Sequence, residues 1–331
     1  MERFALAAAV VLGFALTAAL CSLFVPLRRV LERREQNQQP AQSEQPRPAP
    51  LRAPLWGGLC AAAGTVAAVG VGWLAACVGQ PELLGSEGRL MTRLLTALAG
   101  SLAFGAVGLA EDLARMRSPA ALGLRRDVRL LLEALAAAFV LLLLRAAGCL
   151  PRGLGVPWAG YVLLGSAVPF LWAVLMVALA ECARIAERDE GAVCGAAFVA
   201  MLALMMVEAG LGVSGLAVLP AALAGALVAL LLWAFPPARL GVGCCGSLLA
   251  AGAIGCIPLS LDMTSLTVPL ALPFWAAGGL WAAQLLGAKR TGKPLRCWVK
   301  KHKMSPETVF LCSFALSAVG YVLALALLRW C

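Results

Sequence analysis

Two adjacent carboxylates at a hydrophobic boundary, Glu111 and Asp112 in the stretch GAVGLAEDLARMR, are the first residues of this chain whose types could do chemistry. Such a pair can hold Mg2+ or activate an acceptor. The same pair also reads as a solvated helix end, with its charges matched by Arg115 and Arg117. A second cluster, in AECARIAERDEGAVCG, sets Glu181, Arg184, Glu187, Arg188, Asp189 and Glu190 within ten residues of an otherwise apolar stretch. One reading is a charged patch for a phosphorylated ligand. The other is an amphipathic turn whose charges pair at i, i+3 and i+4.

Two further stretches have the composition of phosphate sites. GVGCCGSLLAAGAIG, from Gly241, can offer backbone N–H groups at a helix start. It can equally be the Gly-rich face along which a membrane helix packs. GKPLRCWVKKHK, from Gly292, is a basic loop with Trp298, suited to anionic lipid head groups or a phosphorylated substrate. Its basicity also follows from the charge bias of cytoplasmic loops alone. His302 is the single histidine, so a His-based metal cluster is excluded. The 12 cysteines include no CxxC pair and lie mostly in apolar runs, where Cys is a small hydrophobe.

The elements that must position these residues are membrane helices. Of 331 residues, 62% are hydrophobic and 13% charged, with a mean hydropathy of +0.89; a soluble domain is about 25% charged. A core that apolar has no surface left to face water, so lipid is the solvent for much of the chain. Ten apolar segments can be marked, at 4–27, 55–78, 91–110, 129–149, 157–180, 192–210, 214–235, 241–260, 264–288 and 308–330. The first lacks a basic leader and a cleavage site and reads as a retained helix. Glu133 and Arg145 lie inside a segment but near its ends, which argues against a transporter with ionisable groups at the midplane.

Loops 28–54, 111–129, 181–191, 236–240 and 289–307 together hold 21 of the 27 Lys and Arg residues. That bias places them in the cytoplasm and, with ten spans, both termini outside. It accounts for the net charge of +10 without nucleic acid as a partner. The chain reads as one integral membrane domain, 1–331, with a Gln- and Pro-rich flexible cytoplasmic loop at 35–54. Any chemistry belongs to the loops at the cytoplasmic face.

The order and spacing of the motifs resemble the polyprenyl-phosphate N-acetylhexosamine-1-phosphate transferases (glycosyltransferase family 4), most closely the MraY type, the phospho-N-acetylmuramoyl-pentapeptide transferases. The family's Thr-Pro-Thr-Met-Gly-Gly turn reads here Ala53-Pro54-Leu55-Trp56-Gly57-Gly58, and its Gly-Phe-x-Asp-Asp reads Gly108-Leu109-Ala110-Glu111-Asp112. Leu122-Gly123-Leu124 and Arg129 fall at its Lys-Gly-Leu and downstream Lys. Its Asn-x-x-Asn-Leu-x-Asp-Gly-x-Asp-Gly-Leu spans Glu181 to Ala192, with Glu187 and Glu190 at the acidic positions. Its Met-Gly-Asp-x-Gly-Ser-Leu reads Val242-Gly243-Cys244-Cys245-Gly246-Ser247-Leu248, and its Pro-x-His-His-His reads Pro294-Leu295-Arg296-Cys297-Trp298.

The resemblance implies an all-α, MraY-like fold of about ten transmembrane helices in the bacterial plasma membrane, with the active face cytoplasmic. It implies transfer of a sugar-1-phosphate from a UDP-sugar to undecaprenyl phosphate, with Mg2+ as cofactor, in cell-envelope synthesis. Glu111 and Asp112 take the catalytic positions, and Asp112 the remaining metal position. Gly57, Gly58, Arg129, Arg184, Glu187, Glu190, Gly246, Ser247 and Arg296 take the substrate-binding ones. The positions that are kept are mostly Pro, Gly and Ser; the chemical ones are altered. Cys244 stands where the family has a metal-binding Asp, and Mg2+ prefers oxygen. The two Asn positions are Glu181 and Arg184, and the His triplet is replaced. The expectation is an impaired transferase or, as an alternative, a non-catalytic membrane partner or regulator of envelope synthesis. A homodimer is a candidate assembly.

Overall fold

An apolar segment in lipid must close its own backbone hydrogen bonds, which a single chain segment does only as a helix. The computed structural model describes residues 2–38, 56–79, 89–117, 123–151, 153–156, 160–163, 165, 167–187, 191–235, 239–287 and 306–330. Its helices are α1 (Glu2–Gln38), α2 (Gly57–Gly79), α3 (Arg89–Arg117), α4 (Arg126–Ala146), α5 (Ala167–Ala186), α6 (Ala192–Gly210) and α7 (Ser214–Ala234). They are followed by α8 (Gly243–Ser260), the short α9 (Thr267–Leu270), α10 (Leu272–Gly287) and α11 (Pro306–Trp330). The chain is an all-α polytopic membrane protein.

Among the described residues eight helices are long and apolar enough to cross a membrane, or nine if a bent pair counts as one span. The count of ten differs because α4, at the expected segment 129–149, carries Arg126, Asp127, Arg129, Glu133 and Arg145. The bent pair, Thr264–Leu270 with Leu272–Ala282, turns by 65°. Pro273 explains the break: its ring collides with the carbonyl four residues back, and it has no N–H to donate.

Two other segment boundaries are corrected. The segment expected at 157–180 begins as a hairpin instead. β1 (Gly153–Val156) pairs antiparallel with β2 (Gly160–Leu163), in the register Gly153↔Leu163, and α5 starts only at Ala167. The Gly- and Val-containing GYVL run suits a strand, and Gly165, at φ +58°, turns the chain toward α5. The first helix does not stop at residue 27 but runs to Gln38. Residues 28–38 are mostly Arg, Glu, Leu and Gln, all good helix formers. The rest of the expected loop, 39–54, lies outside the described residues.

Helix α8 is the axis of the bundle: every residue in it is buried. Its run of Gly, Ala and Cys leaves room for close neighbours. The most extensive helix pairing in the protein is between α8 and α3, while α1 packs on α7 and α2, α11 on α6, and α5 on both α8 and α10. Glycine sets the closest approach. A Cβ at Gly108 of α3 would overlap the Cys244 carbonyl, and one at Gly58 of α2 would overlap the backbone of Gly246. The start of α8 is therefore held between the end of α3 and the start of α2.

Candidate functional site

The site is built at one end of the bundle, where α3, α4 and α5 end or begin beside the first turn of α8. Gly243, at φ +72°, turns the chain into α8. The first N–H groups of a helix have no partner within it. Asp112 supplies one from the neighbouring helix. Its Oδ1 accepts the Cys244 N–H at 3.1 Å and its Oδ2 accepts the Cys245 N–H at 2.9 Å. A carboxylate there also faces the positive end of the helix dipole. Asp112 is 1% exposed and Glu111 2%, so this is not the solvated helix end that one sequence reading allows.

The pairing to Arg115 in that same reading is present. Arg115 Nη2 donates to Glu111 Oε1 at 2.7 Å, and its Nη1 lies 3.8 Å from Asp112 Oδ1. The same Nη1 reaches Glu187 Oε2 at 3.4 Å, at the end of α5. Glu187 Oε2 also accepts the Cys244 thiol proton at 3.1 Å. One guanidinium thus bridges three carboxylates from two segments of the chain.

A second bridge runs beside it. Arg129 of α4 donates through Nε to Glu181 Oε1 at 2.7 Å, and its Nη1 lies 3.8 Å from Glu111 Oε1. Arg184 donates through Nη2 to Glu181 Oε2 at 2.7 Å. Glu181 holds both arginines. The alternatives for the 181–190 cluster resolve in part: Arg184 pairs at i−3 with Glu181, while Glu187 pairs across the fold with Arg115.

The remaining sequence-derived positions are placed as follows. The N–H groups of Gly57 and Gly58 donate to the carbonyls of Gly241 and Val242, at 3.2 and 3.0 Å. Gly246 lies in the close contact with Gly58, and the buried Ser247 hydroxyl donates to the Cys244 carbonyl at 3.1 Å. The Gly-rich motif therefore packs helix against helix, and Asp112 takes its free N–H groups. Glu190 and Arg296 lie outside the described residues.

Three features go beyond the sequence reading, which placed Glu133 near a segment end and did not name Glu208. Glu133, one turn along α4 from Arg129, is fully buried with neither carboxylate oxygen hydrogen-bonded. Its place inside an apolar segment and its i, i+4 spacing from Arg129 were the signals for it. Glu208, buried within α6, is another ionisable residue inside a span. Arg115 was legible as a local partner of Glu111, but not as the link to Glu187, 72 residues away.

Asp112, Glu187 and Cys244 each bring one ligand atom to within 4.8 Å of the others, the one such cluster among the described residues. The set fits Mg2+ poorly. One of its three donors is a thiol, and Mg2+ is a hard ion that takes oxygen at about 2.0–2.1 Å. That thiol donates a hydrogen bond to Glu187, both Asp112 oxygens already accept backbone N–H groups, and a guanidinium adjoins both carboxylates.

A family profile described as Glycosyl transferase family 4 matches residues 94–262, just over half of the chain. The chain belongs to glycosyl transferase family 4. The matched stretch contains every described residue of the two arginine bridges. This family-4 chain is 30% identical over 212 residues to the phospho-N-acetylmuramoyl-pentapeptide-transferase of Synechococcus sp. (strain RCC307), covering 63% of this chain and 55% of that protein. It is 31% identical over 170 residues to the protein of the same name from Desulforudis audaxviator (strain MP104C), covering 48% and 50%. The chain thus spans about half the length of the curated relatives it matches, and it is an MraY-like member of the family.

Proposed function

We propose that this protein is an MraY-like phosphosugar transferase homologue in which Mg2+-dependent transfer is strongly impaired. The reaction in question is transfer of a sugar-1-phosphate from a UDP-sugar to undecaprenyl phosphate at the cytoplasmic face of the bacterial plasma membrane. The observation that carries the reading is the double hydrogen bond from the first turn of α8 to Asp112. The acidic residue that matches the family motif unchanged is engaged as a helix cap. The arginines best placed for phosphate, Arg129 and Arg184, are clamped on Glu181. Any residual transfer has Glu111 Oε2 and Arg184 Nε to use, buried atoms without a hydrogen-bond partner.

A second reading, a non-catalytic membrane partner or regulator of envelope synthesis, is favoured by the mutual fit of the altered residues. Glu181 stands at an Asn position and is matched by Arg129 and Arg184; Cys244 stands at an Asp position and is matched by Glu187. Matched residues fit a fold kept for another purpose.

Complementation tests the proposal. Expression in a bacterium depleted of its own phospho-N-acetylmuramoyl-pentapeptide transferase is expected not to restore growth, although the protein reaches the membrane. Restored growth that is lost on Asp112→Asn would return the protein to the active transferases.

A further inference from the structure

We propose that the guanidinium of Arg115 stands in place of a divalent cation at this site, so that the protein neutralises its buried carboxylates internally and binds no Mg2+ there. The inference deepens the proposed function and rests on the same reading of the site, but makes a separate claim about binding.

The geometry is that of a cation among anions. Arg115 touches Glu111 at 2.7 Å, Glu187 at 3.4 Å and Asp112 at 3.8 Å. Glu111 and Asp112 are almost wholly buried, and the Glu187 side chain is 11% exposed. Carboxylates this buried require a positive partner. The Arg115 side chain is 24% exposed, more than that of any carboxylate it touches, so its guanidinium closes the cluster on the more accessible side. A metal ion bound to Asp112 and Glu187 would sit within a few ångströms of that fixed charge, where like charges repel strongly.

Cys244 weakens the site further for a hard cation. In place of a hard oxygen donor, its thiol donates a hydrogen bond to Glu187. Arginine is suited to the role because its fork of five N–H donors stays charged in any protein environment and reaches several carboxylates at once. The arrangement needs no metal supply, and folding does not wait on one.

Electron paramagnetic resonance with Mn2+ as the probe tests this on the full chain in detergent. With wild-type protein, millimolar Mn2+ is expected to stay free, and neither Mg2+ nor EDTA should shift the Tm. Arg115→Ala is expected to expose the carboxylates and gain saturable Mn2+ binding, lost again when Glu187→Gln is added. Saturable binding by wild type that Asp112→Asn abolishes would overturn the proposal. So would a folded Arg115→Ala protein that binds no Mn2+. If Arg115→Ala does not fold, the wild-type titration and Tm still decide. Activity distinguishes the two claims: metal-free wild type with robust turnover defeats only the proposed function, and inactive wild type that holds Mn2+ defeats only this inference.

Discussion

The Asp112 carboxylate receives the Cys245 N–H at 2.9 Å across 133 residues of sequence. Together with the Cys244 N–H on its other oxygen, this ties the end of α3 to the start of α8, the most extensive helix pairing in the protein. The link is electrostatic as well as directional, because an anion meets a helix N-terminus in a nearly water-free place.

Asp112→Ala is therefore expected to destabilise the protein by about 3–5 kcal/mol, since it strips buried N–H groups and removes a partner of Arg115. Asp112→Asn keeps one carbonyl acceptor and should lose less. Thermal unfolding in detergent reads both. An alanine variant as stable as wild type would show that the cap contributes nothing.

Arg129 and Glu181 are expected to be energetically coupled, by about 1–3 kcal/mol in a double-mutant cycle to Ala. The Arg129 side chain is 8% exposed and the Glu181 side chain 23%, so salt screens the pair only weakly. Additive single losses would contradict the bridge, as would coupling that disappears at high salt.

Much of this was readable from the sequence, and the reason for each success or failure is physical. The spans at α2, α7 and α11 follow from long apolar runs, which have one stable form in lipid, while α6 and α8 are shorter and rich in Gly and Ala, and α6 also carries Glu208. The motif positions Gly108 to Asp112 and Gly243 to Leu248 were legible through family spacing. Pairings across the fold were not: nothing local in AECARIAER ties Glu187 to Arg115 or Glu181 to Arg129. Arg129 and Arg184 read as substrate-binding positions because a sequence shows charges without their partners, here Glu181 for both. The hairpin at 153–163 was missed because its residues are as apolar as a span. The break near Ala271 was available in Pro269 and Pro273 but was outweighed by the hydropathy of the surrounding run.

Glu133→Gln is expected to leave stability unchanged or to raise it, by on the order of 1 kcal/mol, because a fully buried carboxylate without a hydrogen-bond partner opposes folding. The amide is nearly the same shape and carries no charge. A clear drop in Tm for this variant would mean that the negative charge itself is needed by Arg129 or Arg184.

Topology is tested by single-cysteine labelling in spheroplasts. Loops 28–54, 111–129 and 289–307 carry the basic excess and are expected to be protected from an impermeant reagent added outside. Residues 80–88 are expected to react. Protection of 80–88 together with labelling at 289–307 would invert the assignment and place the arginine bridges on the outer face.

The impaired-transferase account is tested most directly by UMP exchange between UDP-N-acetylmuramoyl-pentapeptide and undecaprenyl phosphate. Purified protein would be assayed with Mg2+ beside an active family member. Losing a single charge-stabilising group costs about 10²–10³ in rate. Cys244, Glu181, Arg184 and the lost His triplet change several such groups together, and their effects need not add. The predicted exchange rate is lower than the active enzyme's by at least a factor of about 10³ and is indifferent to EDTA. Mg2+-dependent exchange near the active enzyme's rate, abolished by Asp112→Asn, would contradict the account.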